Sequence, residues 1–245
     1  MIDFHMHPVG WVPEERRLSE VNCIPVFEQL VRDMDRANID KGLVMLLDEN
    51  WFRADGQVLK QFSDRLYYCA LFDIGRAYEK DVVLGYVQRA ARIIKGVKIH
   101  PKLQTAEMED YMDLVWEANK LGLFTVVHAD GDEGVKIAEN LAKMDGSLIV
   151  AHSGGVDFSR IVCLADKHEN VMLDLSFMSL PKLEGLLMWG IEVLGPDRFL
   201  FGSDHPYCDV REYKEKILEI LQGLPFKDTE KIMGGNALKI LGGRK

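Results

Sequence analysis

The sequence is poor in the features that mark several common protein classes. Only four cysteines occur in 245 residues, Cys23, Cys69, Cys163 and Cys208, spread far apart and without a CxxC pair. Neither a zinc knuckle nor a disulfide framework is indicated, and reduced thiols in a cytoplasmic protein are the expectation. No uncharged apolar run reaches the ~20 residues that a membrane helix needs. The N-terminus lacks a basic region followed by an apolar one, so no secretory signal is expected. Positive charge is short as well. Lys and Arg number 30 against 39 Asp and Glu, for a net charge of -9 and a pI near 5.3. An acidic surface repels phosphate backbones, which argues against nucleic acid as a partner. A glycine-rich phosphate loop after an early strand is also missing, since His7-Pro8-Val9-Gly10 is no such loop. That disfavours an open, doubly wound nucleotide-binding sheet. Low-complexity stretches, long linkers and shifts in composition are absent too, so one domain over residues 1–245 is expected.

What is present is an alternation. Eight short apolar runs recur: Met1–His7, Gly42–Leu47, Leu66–Phe72, Gly96–His100, Phe124–His128, Leu148–His152, Val171–Leu175 and Phe199–Ser203. They are rich in Val, Ile, Leu and Phe, as strands buried on both faces should be. Amphipathic stretches separate them. Val83, Val87, Ala90, Ala91 and Ile94 share one helical face, and Tyr111, Leu114, Val115, Ala118 and Leu121 share another. Gly122 is placed to end the helix before the fifth strand. Asp157 to Arg160 is placed to open the helix after the sixth. The weakest unit lies between strands two and three, where Val58–Asp64 offers only a short helix. Two more helices are expected near Val210–Leu221 and Asp228–Leu241. Eight strands alternating with helices predict a single-domain α/β protein, a (β/α)8 TIM barrel, with its site where the strands end.

The histidines fall at that mouth. His5-Met6-His7 puts two imidazoles two residues apart on a strand, hence on one side. Alone, this HxH pair is weak, because two nearby histidines are more often surface residues. Five of the seven histidines, however, end predicted strands: His5, His7, His100, His128 and His152. Strand eight adds Gly202-Ser203-Asp204-His205-Pro206. There Leu200, Gly202 and Asp204 share a face by the period of two, and the glycine leaves room in a crowded barrel centre. An isolated Asp204 would read as a turn residue before Pro206. Beside so many histidines it reads as a metal-binding carboxylate.

These pieces resemble the amidohydrolase superfamily, and within it the amidohydrolase-2 group that includes the aminocarboxymuconate-semialdehyde decarboxylase-like enzymes. The matching segments are Asp3-Phe4-His5-Met6-His7, Gly96-Val97-Lys98-Ile99-His100-Pro101, Val127-His128, Ala151-His152-Ser153-Gly154-Gly155 and Gly202-Ser203-Asp204, in family order. The resemblance implies that His5, His7, His128 and Asp204 hold a metal and that His152 is its catalytic neighbour. One divalent ion is expected. Zinc suits such ligands best, with manganese, iron, cobalt or nickel as alternatives. Such an ion lowers the pKa of bound water. Asp204 can accept the water proton and return it to a leaving group. His152 can donate to the oxygen that gains charge.

Lys98 leaves the metal count open. Some superfamily members carbamylate a strand-four lysine to bridge a second metal; the alternative is a barrel lysine paired with an acid such as Asp3 or Asp174. Asp174, His100 and His205 are candidates for substrate contact or for support of the ligands. Loop residues Trp11, Arg16, Arg17, Trp51, Phe52 and Arg53 are placed to cover the site, and Arg53 could pair with a substrate carboxylate. The expected activity is hydrolysis of a small-molecule amide, lactone or related bond. The rival is a metal-dependent, non-oxidative decarboxylase of a small carboxylate. A nuclease or phosphoesterase fits less well: TatD-type nucleases carry a glutamate where this chain offers Lys98 and His100. An inactive metal-binding barrel is disfavoured because all five central positions are filled. The partner is then a small molecule, with no membrane and no nucleic acid, and a homodimer is a reasonable oligomer.

Overall fold

The computed structural model describes residues 1–8, 23–47, 57–74, 80–104, 106–176 and 180–242. Eight parallel strands stand in chain order: β1 (Ile2–Met6), β2 (Lys41–Leu46), β3 (Leu66–Leu71), β4 (Gly96–Ile99), β5 (Phe124–His128), β6 (Leu148–Ala151), β7 (Val171–Asp174) and β8 (Phe199–Leu200). The sheet curls until its last strand meets its first. Phe4 N–H donates to Phe201 O at 2.8 Å, Asp204 N–H to His5 O at 2.8 Å, and His7 N–H to His205 O at 2.6 Å. The helices run between strands: α1 (Cys23–Arg36), α2 (Gln57–Gln61), α3 (Lys80–Ala90), α4 (Met108–Lys120), α5 (Gly131–Leu141), α6 (Phe158–Lys167) and α7 (Leu180–Leu194). After β8 come α8 (Val210–Ile220), α9 (Phe226–Glu230) and α10 (Asn236–Leu241). This is the (β/α)8 barrel expected from the alternation.

Two apolar layers explain why the strands are apolar on both faces. One face packs outward: Val44, Val97, Val127, Val150 and Leu173 join Phe27, Val87, Leu114 and Ile161 of the helices. The other face fills the barrel: Phe4, Met45, Cys69, Phe124, Ile149 and Leu200 pack together, with Ala237 and Leu241 of α10 joining them. Each such side chain contributes about 1.5–3 kcal/mol on full burial. The interior is tight. A Cβ on Gly96 would stand 2.3 Å from the Phe124 ring, so only glycine fits there.

Two sequence expectations change in detail. The final helix near Asp228–Leu241 is composite, since a five-residue π turn, Lys231–Gly235, separates α9 from α10. The regular part of β8 stops at Leu200, well before Ser203, because the chain turns there to present Asp204. Gly122 does end the helix before β5, with φ 73°. Among the described residues Cys69, Cys163 and Cys208 are free thiols, and no helix is long and apolar enough to cross a membrane.

Candidate metal centre

Strict alternation along β1 would put Phe4 and His5 on opposite faces. The strand avoids this with a register shift between Asp3 and Met6, where three steps of β1 match two of β2. Ile2 and Phe4 therefore fill the barrel, Met6 packs in the outer layer, and His5 and His7 still reach the mouth. Asp3 anchors this irregularity. Its Oδ1 accepts the N–H of His5 at 3.1 Å and of Ser203 at 3.0 Å, tying β1 to the segment after β8. Burial pushes the Asp3 carboxyl up to about 7, against the lowering effect of those hydrogen bonds.

His5, His7 and Asp204 come together. Asp204 holds a left-handed backbone, φ 63°, that brings its carboxylate to the imidazoles. Its Oδ1 lies 3.1 Å from His7 Nε2 and 3.5 Å from His5 Nε2. All three residues are buried, with exposures of 1%, 7% and 6%. Burial works against an ionised Asp204, but the hydrogen bond from His7 and the surrounding imidazoles outweigh it and hold the carboxyl below its ordinary value. His5 is pushed well below the ordinary imidazole value by burial first, then by the charge of Lys98. The His5 nitrogen is thus kept neutral and the Asp204 oxygen charged, as a divalent cation requires.

Asp174 settles which nitrogen of His5 faces inward. Its Oδ2 takes the hydrogen on His5 Nδ1, leaving Nε2 as the lone-pair nitrogen beside Asp204. Gly202 makes this possible: a Cβ there would stand 2.4 Å from Asp174 Oδ1 and 2.9 Å from His5 Cβ. The glycine leaves room, as expected, and the room is used by this carboxylate. Ser176 links the rest. Its hydroxyl donates to Asp174 Oδ2 at 2.8 Å and lies 2.9 Å from His152 Nδ1, while its backbone N–H donates to Asp174 Oδ1 at 2.9 Å.

His152 follows Ala151, whose side chain fills the barrel, so alternation alone would turn the imidazole outward. Left-handed backbone at His152, φ 54°, and Ser153, φ 48°, redirects it. The ring stacks on His5 with centroids 4.8 Å apart and meets His128 edge-on at 5.0 Å. Its Nδ1 also lies 3.2 Å from the Ser176 carbonyl oxygen, which fixes the Nδ1–H tautomer and makes Nε2 the basic nitrogen. His128 stands next to this group rather than inside the tight His5–His7–Asp204 triad. Burial, with Lys98 and His100, keeps its imidazole neutral.

The remaining candidates divide. Lys98 is 1% exposed and its Nζ has no hydrogen-bond partner, so it pairs with neither Asp3 nor Asp174. His100 lies flat against His128, with centroids 4.2 Å apart and planes 8° apart, and its buried Nδ1 also lacks a partner. Its pKa is pushed down to about 3 by burial and by Lys98. His205 turns toward α1 instead, with Nε2 3.5 Å from Asp33 Oδ2. Arg53, like Trp11, Arg16, Arg17, Trp51 and Phe52, lies outside the described residues. Sequence reasoning missed Ser176 as a hub and Tyr207 as a neighbour. Tyr207 meets the His7 ring edge-on at 5.6 Å. Ser176 was findable, because Met172, Asp174 and Ser176 share one face of β7. Tyr207 lies in an irregular segment that no periodicity describes.

The residues fit a metal ion. Two imidazole nitrogens and a carboxylate oxygen lie within 4.8 Å of one another, and a carboxylate orients one imidazole from behind. A second group, His5, His152 and Asp174, shares His5 with the first. That makes one connected cluster rather than two separate centres.

Comparison with known proteins agrees with this architecture. No curated protein matches the sequence. Several solved structures share the fold over nearly their whole length. An amidohydrolase from Burkholderia multivorans with bound zinc has a TM-score of 0.73 at 15% identity, covering 99% of both chains. A probable 2-pyrone-4,6-dicarboxylic acid hydrolase from Acinetobacter baumannii, with citric acid bound, has 0.71 at 15% identity and 98% of both. The 2,6-dihydroxybenzoate decarboxylase from Rhizobium has 0.69 at 15% identity and 98% of both. Identities this low speak for the fold alone. The family model Amidohydro_2, amidohydrolase, matches residues 2–243, so this chain belongs to the amidohydrolase family.

Proposed function

We propose that the chain is a metal-dependent hydrolase that cleaves a small-molecule amide, lactone or related bond. The observation that carries this reading is the convergence of His5 Nε2 and His7 Nε2 on Asp204 Oδ1, with His152 stacked on His5. His5, His7 and Asp204 would hold one divalent ion, with His128 as the further ligand. Zinc is the first choice from the ligand chemistry and from the zinc in the Burkholderia relative. When bound, such an ion polarises a substrate oxygen and lowers the pKa of a coordinated water.

The chain's own groups do the proton work. Asp204 is held ionised, so it accepts a proton from the attacking water and delivers it to the leaving nitrogen or oxygen. His152 has its Nδ1–H committed to Ser176, and burial lowers its pKa. Its Nε2 therefore orients the attacking water by accepting a hydrogen bond. This differs from the donor role expected from sequence, which requires the protonated ring that burial disfavours.

The test is turnover in 18O-labelled water across a panel of lactones, amides and small carboxylates. Label in the product without release of carbon dioxide is the expected result. Carbon dioxide release without label would replace hydrolysis by the second reading, non-oxidative decarboxylation of a small carboxylate. Two observations favour that alternative: Lys98 Nζ is buried without a hydrogen-bond partner, and the Rhizobium relative is a decarboxylase.

A further inference from the structure

Two histidines of the mouth are held in different ways. Asp174 orients His5 through a hydrogen bond. His128 is held by rings: it lies flat against His100, with centroids 4.2 Å apart, and meets His152 edge-on at 5.0 Å. The flat contact is the one that sets its plane, so the position of His128 depends on that of His100. The His100 ring brings no buried anchor of its own, because its Nδ1 has no hydrogen-bond partner. Its place is therefore set by the backbone that carries it.

One residue grips that backbone. Gln104 is only 3% exposed, and both ends of its amide are used. Its Oε1 accepts the His100 N–H at 2.7 Å, and its Nε2 donates to the Phe72 carbonyl oxygen at 2.6 Å. The backbone N–H groups of Leu103 and Gln104 donate to the His100 carbonyl oxygen at 2.8 and 3.1 Å. Regular pairing of β3 with β4 ends at Leu71 and Lys98. Just beyond, the Gln104 amide stands where a peptide group would join the two chains, its acceptor toward one and its donor toward the other. A side-chain amide can do this because it carries the same donor and acceptor as the backbone. Methionine, of similar length, has neither. Glutamate has the acceptor but gains the donor only when protonated. We propose that Gln104 is a positioning residue for the metal site: it fixes the His100 backbone, the His100 ring fixes the plane of His128, and His128 is thereby aimed at the ion. Gln104 touches neither ion nor substrate in this role. The inference rests on the reading of His128 as the further ligand.

The test reads ring position and zinc affinity rather than turnover. Histidine labelled with 13C at Cε1 reports stacking through the ring-current shift, and His100→Asn and His128→Asn assign the two signals. In zinc-loaded Gln104→Met both signals should move while those of His5 and His7 stay. Zinc affinity, from competition with a chromogenic chelator, should fall about tenfold. Gln104→Glu separates aim from mere stability. Its protonated carboxyl can replace the amide, whereas its carboxylate cannot donate to Phe72. Burial raises such a carboxyl, so the two signals should match wild type near about pH 6 and Gln104→Met near about pH 9. A lower melting temperature with both signals in place would overturn the proposal. So would moved signals with unaltered zinc affinity, or Gln104→Glu signals that ignore pH. Unaltered zinc affinity in His128→Ala would sink the ligand reading and this proposal with it, and the signals in Gln104→Met tell the two failures apart. If Gln104→Met fails to fold, the pH comparison in Gln104→Glu decides.

Discussion

Asp174 touches no ion in the proposed site, yet it governs one, because the hydrogen it takes from His5 Nδ1 decides which nitrogen faces Asp204. Removing that carboxylate charge while keeping its shape, in Asp174→Asn, should weaken metal binding about 10- to 100-fold. Competition with a chromogenic chelator measures it, and unaltered affinity would show that His5 is oriented by other means. Protonation provides a second residue-scale expectation. The imidazoles of His5, His100, His128 and His152 are all held below their ordinary value by burial. Such a group binds its proton more readily in the unfolded chain. Its contribution to stability is complete above about pH 6.5 and is lost as the pH falls, for His100 toward about 3. Asp3 has the opposite sign: its raised pKa favours the folded state at low pH, and that contribution fades as the pH climbs toward about 7. Asp174 is raised by burial as well, and His205 is lowered, so five lowered imidazoles outnumber two raised carboxyls. The metal-free protein should therefore melt at lower temperature at pH 5 than at pH 7, and His100→Gln should show a shallower decline. Parallel curves for the two proteins would remove His100 from the account.

Elements reveal what a sequence can carry. Seven strands lie within about a residue or two of their expected ends, because continuous runs of branched and aromatic residues are hard to bury any other way. The inward aim of Lys98, His100, His128 and Asp174 followed from the same period of two. What failed to show was every departure from that period. The shift in β1 depends on pairing with β2, which no single strand encodes. His152 faces the site only through left-handed backbone at itself and Ser153, which neither residue type announces. The helix layer has its own device in Arg198. Its guanidinium donates to the carbonyls of Ala165 at 2.8 Å, His168 at 2.7 Å and Val171 at 2.9 Å, joining the end of α6 to the start of β7. Arg198→Met should cost about 2 kcal/mol, read from urea unfolding. Gly96→Ala should cost about 1–3 kcal/mol by crowding Phe124. A change near zero in the latter would mean that Phe124 has somewhere to move.

At the scale of the whole molecule, the barrel joins its two ends at the site. His7 and Asp204 are 197 positions apart, yet the segments that carry them are hydrogen-bonded neighbours. An ion held by both cross-links nearly the full chain, and closing so long a loop restrains the unfolded state by on the order of 5 kcal/mol when the link is permanent. Chelation should therefore lower the melting temperature. It should also speed hydrogen exchange of the His7 and Asp204 amides more than of amides between β4 and β5. Uniform acceleration around the ring would contradict this. The barrel is in this sense a hoop whose clasp is the proposed metal centre. If the proposed ion is lost, two outcomes are expected at once: the chemistry stops and the hoop unlatches. The fraction of folded protein in a preparation should track its metal supply as closely as its activity does.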